Sequence, residues 1–291
     1  MGDLTTAQAF DEFNSSIAAT KHQREVLVPA RQRSVEENLR ECFPSTSDMP
    51  FLRSDLIGSA SNKNTVVRPF TDTDVLARFS NERDAWVKYQ NDSKAFLYRV
   101  RNAYDGVETK QVGARGQAVR VFFESGGHVD VAPVFFEDED TFWLPAGDGT
   151  WIKTSPLRAN RWFLERQRSL GGDLRRLVRF VKKWNKAHSS HFSSYHLETI
   201  VATVFRSLGD NRRKQLALFF EHAGGYLHVD DPGGQSGDLA ASMTLQQEIA
   251  TGQALASARD RADRALAAES VGDHSEAKRL WRIILGDEFP D

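Results

Sequence analysis

Between about residues 52 and 145 the chain reads as short β-rich runs, "VLARF", "AVRVFFE" and "HVDVAPVFF", punctuated by Gly, Asn and Asp turns, while both flanks read as helix. This placement of strands in the middle third constrains the fold more than any other feature of the chain. The expected class is α+β: a mixed sheet with flanking helices, packed as one body against a C-terminal helical domain. Three segments follow, with helices over 1–45 packing on both lobes, the core over 46–155 and the helical domain over 156–291.

Local patterns fill in the segments. Over 5–45, Phe10, Phe13 and Ile17 recur at helical spacing, Pro29 interrupts, and Val35, Leu39 and Cys42 resume the stripe. Inside the middle third, "NERDAWVKYQNDSKAFLYRVRNAY" predicts a crossing helix that faces the sheet through Trp86, Tyr89, Phe96 and Val100. From about 156 helices return. "DLRRLVRFVKKWNKAH" places Leu174, Leu177, Val178, Val181 and Trp184 on one face behind an Asp173 N-cap. Residues 231–240 form a Gly-rich loop. Two closing helices split at Gly272, where Asp273 and Glu276 have capping-box spacing.

Composition narrows the function classes. No stretch approaches the roughly 18 consecutive apolar residues of a membrane span, and "MGDLTTAQAF" lacks the pattern of a secretory signal. With Cys42 the only cysteine, an internal disulfide and a cysteine-built zinc site are both disfavoured. The expected location is cytoplasmic. Lys and Arg number 38 against 40 Asp and Glu, a net charge of −2. That balance gives no global steering toward nucleic acid, so no constitutive duplex binding and no membrane partner are expected, and a small charged ligand is favoured.

Carboxylates in the β-rich segment carry the chemistry. Asp72 and Asp74 are two apart at a strand start, so they project to one face, about 6–7 Å apart at Cα. Such a pair suits magnesium, which takes hard oxygen ligands and completes its shell with water and phosphate; the plain alternative is a solvated strand start. Upstream, Gly58-Ser59 lies in a turn whose backbone N–H groups suit a phosphate. A third carboxylate, Asp130, stands between Val129 and Val131 in an apolar run, where it needs a compensating partner: a metal, or an arginine such as Arg120. The "GSASNKNT" turn is not a P-loop, because G-x-x-x-x-G-K-[ST] is missing.

Taken together, Gly58-Ser59, Asp72-x-Asp74 and Asp130 resemble the active-site signature of the polymerase-β-like nucleotidyltransferases. The resemblance implies a core of that fold. It also implies that Asp72, Asp74 and Asp130 are catalytic and metal-ligating, holding two Mg2+ ions (Mn2+ as a substitute) and a nucleoside triphosphate against Gly58 and Ser59.

The helical half adds "RLVRFVKKWNKAHSSHFSSYHLETIV". Lys182 borders the apolar seam with its ammonium free to reach a cleft. Ser194 sits where the next helix begins, beside exposed N–H groups. Tyr195 offers a flat face to a base. Read plainly, the same three are a solvated lysine, an N-cap and a core tyrosine. In context they resemble the helical half of oligoadenylate synthetases and of cyclic GMP-AMP synthase, which implies nucleotide binding: Lys182 and Ser194 at the triphosphate and Tyr195 stacked on a base. "VDDPGG" at 229–234 and "ESVGDHSEAKRLWRIILGDEF" are similar to the bacterial CD-NTases of anti-phage (CBASS) signalling. Asp238 stands where that resemblance leads one to expect Asn. His188, His191 and His196 lack tight ligand spacing and are expected to be structural or solvent-facing, and Lys63 and Thr65 to form the cleft rim.

The resemblance implies a bacterial synthase joining NTPs into a cyclic di- or trinucleotide in anti-phage defence. Its partners would be the NTP substrates, a downstream effector that senses the product, and regulatory CBASS proteins. Two rival readings are a transferase adding one nucleotide to a tRNA, protein or drug, and a catalytically silent nucleotide- or RNA-binding module.

Overall fold

The computed structural model of the protein describes residues 4–69, 72–104, 112–124 and 126–291. Its centre is a seven-stranded sheet built from β1 (Phe51–Ile57), β2 (Asp72–Phe79), β3 (Val112–Arg115), β4 (Ala118–Phe122), β5 (His128–Phe136), β6 (Phe142–Pro145) and β7 (Trp151–Thr154). The order is β1-β2-β5-β4-β3, with β6 pairing the far end of β5 and β7 pairing β6. Among the described strands only β2 and β5 run parallel, and their register places Asp72 beside His128 and Asp74 beside Asp130. The period-2 pleat then sorts the two faces. Val75, Ala77, Phe79, Val129, Val131 and Phe135 enter the larger core of the sheet. Leu76 and Val134 enter a smaller one on the face that carries the aspartates.

The first core is closed by α2 (Val28–Cys42), α3 (Ala85–Tyr89) and α4 (Ser93–Asn102). The crossing helix expected over this stretch is thus two helices, broken at residues 90–92, where the Asp92 side chain accepts the Ala95 N–H and caps α4. Tyr89, Phe96 and Val100 are buried and Trp86 is half-buried, as the spacing implies.

The N-terminal segment divides between the lobes. Helix α1 (Thr6–Ile17) joins the helical domain, where Phe10 meets Phe180, Trp281 and Phe289 with ring centroids 5.0 to 5.3 Å apart. Helix α2 joins the sheet through Val35 and Leu39. The break expected at Pro29 lies instead at residues 18–20, where Ala18 bridges to Val67. Pro29 sits in the first turn of α2, and the turn before it opens into a π-helical stretch, Gln23–Leu27. That wider winding accommodates the missing proline N–H without ending the helix. Cys42 is exposed, and Phe43 takes the buried position next to it.

The helical domain comprises α5 (Pro156–Ser169), α6 (Leu174–Ala187), α7 (Ser194–Val204), α8 (Arg212–His222), α9 (Leu245–Ser270) and α10 (His274–Leu285). The α6 stripe is fully buried and the Asp173 side chain accepts the Arg176 N–H, as expected. Gly272 separates α9 from α10 at φ +81°. Only half of the capping box forms there: Asp273 accepts the Glu276 N–H, whereas the Glu276 carboxylate pairs with Arg279. Among the described residues no helix is long and apolar enough to cross a membrane.

Candidate active site

Asp72 and Asp74 open β2 and project from the sheet face that looks toward the helical domain. Asp74 is half-buried. Burial, then the charges of Asp72 and Asp130, push its pKa up to about 6, with Lys63 and Lys182 acting in the opposite sense. Gly58 lies directly against this carboxylate at φ +63°; a Cβ there would collide with Asp74 Oδ2. The glycine is therefore required both by the left-handed backbone and by the close approach of a carboxylate.

Asp130 realises the arginine reading of its strand position. Arg120 lies opposite it on β4 and grips it in a fork, with Nε to Oδ1 at 2.8 Å and Nη2 to Oδ2 at 2.6 Å. Among the described residues no three His, Cys, Asp or Glu side chains converge as a ready metal site. Asp72 and Asp74 share a cavity, while both Asp130 oxygens belong to Arg120. The two cavity carboxylates nonetheless fit a hard dication. They are all-oxygen donors, and Asp74 carries a like-charge burden that a cation relieves.

The facing wall is cationic. The cavity, about 500 Å³, is lined by Ser59, Asp72, Asp74, Lys182, Lys186 and Ser194, among others. Lys182 on α6 donates to Ser59 Oγ at 2.6 Å and to the Thr65 carbonyl at 3.2 Å. Ser194 is the first residue of α7, one position inside the cap. Ser193 is the N-cap and accepts the His196 N–H at 3.2 Å, which leaves the Ser194 side chain at the cavity. Gly58 and Tyr195 line an adjoining cavity of about 380 Å³ with Lys63 and Asp231. The Tyr195 hydroxyl donates to Asp231, which also accepts the backbone N–H groups of Gly233, Gln235 and Ser236 at 2.8 to 3.0 Å. Asp231 thereby ties the Gly-rich loop to the tyrosine.

Sequence reasoning passed over Glu198. It lies in α7, 3% exposed, and pairs with Lys63 at 2.7 Å and Lys182 at 2.5 Å. Burial raises its pKa, but the two lysines more than reverse this and bring it to about 2. The available signal was a glutamate within the apolar "HLETIVATV", the same kind of anomaly that marked Asp130. Lys63 and Thr65, expected at the rim, are buried on Glu198 instead, because its carboxylate draws them inward. His188 meets the Ile283 and Ile284 carbonyls, and His196 meets the Leu227 carbonyl, so both are structural. Asp238 pairs with His228 and accepts the Ala240 N–H.

The family model described as the Second Messenger Oligonucleotide or Dinucleotide Synthetase (SMODS) domain matches residues 4–167. A probable cyclic nucleotide synthase of Bacillus cereus is 24% identical over an alignment of 325 positions, covering 98% of either chain. A cyclic AMP-AMP-AMP synthase of an Acinetobacter species is 22% identical, covering 80% of this chain and 72% of its own. CdnC of Escherichia coli has been solved with HORMA-deltaN (TM-score 0.79, 98% of each chain) and with ATP (TM-score 0.77, 99% of each chain), at 21% identity in both.

Proposed function

The chain belongs to the second messenger oligonucleotide or dinucleotide synthetase family and is a nucleotidyltransferase of the cyclic-oligonucleotide kind, and on that premise we propose that its cavity joins NTPs into a cyclic di- or trinucleotide. The observation that carries this reading is the single cavity lined by Asp72 and Asp74 from the sheet and by Ser59, Lys182 and Ser194 from the elements facing it. Carboxylates for a cation on one side and donors for phosphate on the other are the two requirements of nucleotidyl transfer.

In this reading a ribose hydroxyl oxygen attacks the α-phosphorus of a donor NTP. The new O–P bond forms as the bond to the β-phosphate oxygen breaks, and pyrophosphate leaves. Asp72 and Asp74 would hold two magnesium ions (or manganese), and Asp130, held by Arg120 in this structure, would be the third ligand. Bound there, the ions supply a lowered pKa at the attacking hydroxyl and neutralise charge on the leaving oxygens. Asp130 takes the hydroxyl proton. Ser59, Lys182 and Ser194 receive the triphosphate, with the Gly58 backbone packed against Asp74 beside them. Tyr195, anchored by Asp231, presents its ring to a base. A second round in the same cleft closes the ring.

The partners proposed are NTPs, with ATP the first to test given the Acinetobacter relative's product and the CdnC complex. Also proposed are a regulatory protein of the HORMA kind found with CdnC, a product-sensing effector in anti-phage defence, and a cytoplasmic setting. Incubation with Mg2+ and labelled NTPs, singly and in pairs, followed by phosphatase treatment, tests the function. A phosphatase-resistant product is expected. Label transferred only to an added tRNA, protein or drug acceptor would instead establish the single-nucleotide transferase, and tight NTP binding without turnover the silent module.

A further inference from the structure

Glu198 is a buried charge among apolar neighbours. Its α7 neighbours Leu197, Ile200 and Val201 are fully buried, and an apolar side chain of similar volume in place of a buried ion pair is often neutral or stabilising. Its carboxylate instead gathers four donors. Oε1 accepts from Thr65 Oγ1 at 2.7 Å and Ser59 Oγ at 3.0 Å and pairs with Lys182 Nζ at 2.5 Å, and Oε2 accepts from Lys63 Nζ at 2.7 Å. Ser59, Lys63 and Thr65 come from the segment between β1 and β2, and Lys182 comes from α6. One side chain thus joins the Gly-Ser turn to the helical wall.

The charges do not cancel. Two ammonium groups meet one carboxylate, which leaves one positive charge over. Lys63 is 4% exposed and lies outside the 500 Å³ cavity, whereas Lys182 and Ser59 line it. The surplus charge therefore reaches the cavity through Lys182.

We infer that Glu198 is a positioning residue for the nucleotide's phosphates: it holds the Lys182 ammonium against Ser59 Oγ on the cavity wall that faces Asp72 and Asp74. The inference rests on the proposed nucleotidyl transfer. It makes a prediction opposite in sign to a simple field effect. Removing a negative charge near the cavity strengthens anion binding if Glu198 acts only through its field. If it acts by fixing Lys182, the same change weakens binding, because the ammonium loses its anchor while Lys63 repels it.

The experiment compares wild type with Glu198→Gln and with the charge-balanced double variant Lys63→Met/Glu198→Gln, which removes the buried Lys63 ammonium together with the carboxylate. Circular dichroism and melting establish that each is folded. The equilibrium affinity for a non-hydrolysable ATP analogue with Mg2+ should fall about tenfold or more in both, the scale of one charge-assisted hydrogen bond. KM should rise more than kcat falls. In a Lys182→Met background, adding Glu198→Gln should cost little further affinity, since both act through one contact. Unchanged or tighter affinity in the folded double variant overturns the role of Glu198, as does full additivity in the Lys182→Met background. If wild type itself neither binds nor joins nucleotides, the nucleotidyl-transfer reading fails with it; a wild type that turns over beside an unaffected double variant removes the positioning role alone.

Discussion

On the sheet wall of the cavity, like charges are placed together: Asp74 lies in register with Asp130 and two residues from Asp72, and its pKa rises to about 6. On the helical wall, opposite charges are placed together: Glu198 lies between Lys63 and Lys182, and its pKa falls to about 2. Glu198 is buried and Asp74 half-buried, and burial alone would raise both. Their neighbours decide the difference. The sheet wall is anionic, whereas the helical wall carries two ammonium groups against one carboxylate. A site for a magnesium nucleotide needs both kinds, one to receive the metal and one to receive the phosphates.

The largest effect expected from breaking this contrast is catalytic. Asp74→Asn should reduce nucleotide joining by about 10²–10³-fold or more, the scale lost when a group that stabilises transition-state charge is removed, measured as product per enzyme at saturating NTP. Next comes folding on the other wall. Glu198→Ala leaves Lys63 and Lys182 without their shared carboxylate and should cost about 3–5 kcal/mol in urea unfolding. The sheet wall should respond in the opposite direction, with Asp74→Asn gaining about 1–3 kcal/mol over wild type in EDTA at pH 7.

The pH dependence of metal-free stability separates the walls further. The Asp74 pKa is raised on folding, so its contribution is complete below the unfolded value near 3.8 and is lost as pH rises through about 6. The Glu198 pKa is depressed, so its contribution is present above about 4.5 and is lost as pH falls toward about 2. Melting temperatures between pH 2 and 8 should show both limbs, with Asp74→Asn flattening the upper one and Glu198→Gln the lower. The smallest effect belongs to Tyr195→Phe. It keeps the ring and loses one hydrogen bond to Asp231, so KM should change by less than about tenfold.

Features legible in the sequence were those carried by local pattern. The strands of Asp72 and Asp130 stood out by β-rich composition, α6 by its apolar stripe, and Asp130 by being charged in an apolar run. The missing features depend on distant partners. Glu198 draws on Ser59, Lys63 and Thr65, 133 to 139 residues away in the chain, a pairing that no helical period encodes. The choice between metal and Arg120 for Asp130 depends on the β4–β5 register. Helix α7 begins at Ser194 as its position implied, and the N-cap of the plain alternative is taken by Ser193, which suits that role equally well. Pro29 misled because its cost is absorbed by a wider turn before it.

Titration calorimetry of Mg2+ with a non-hydrolysable ATP analogue, on wild type and on Asp72→Asn/Asp74→Asn, tests the central claim most directly. Tight metal-dependent nucleotide binding should appear in wild type and be lost in the folded double variant. Equal magnesium-dependent binding by both proteins would contradict the assignment of the metal to this carboxylate pair.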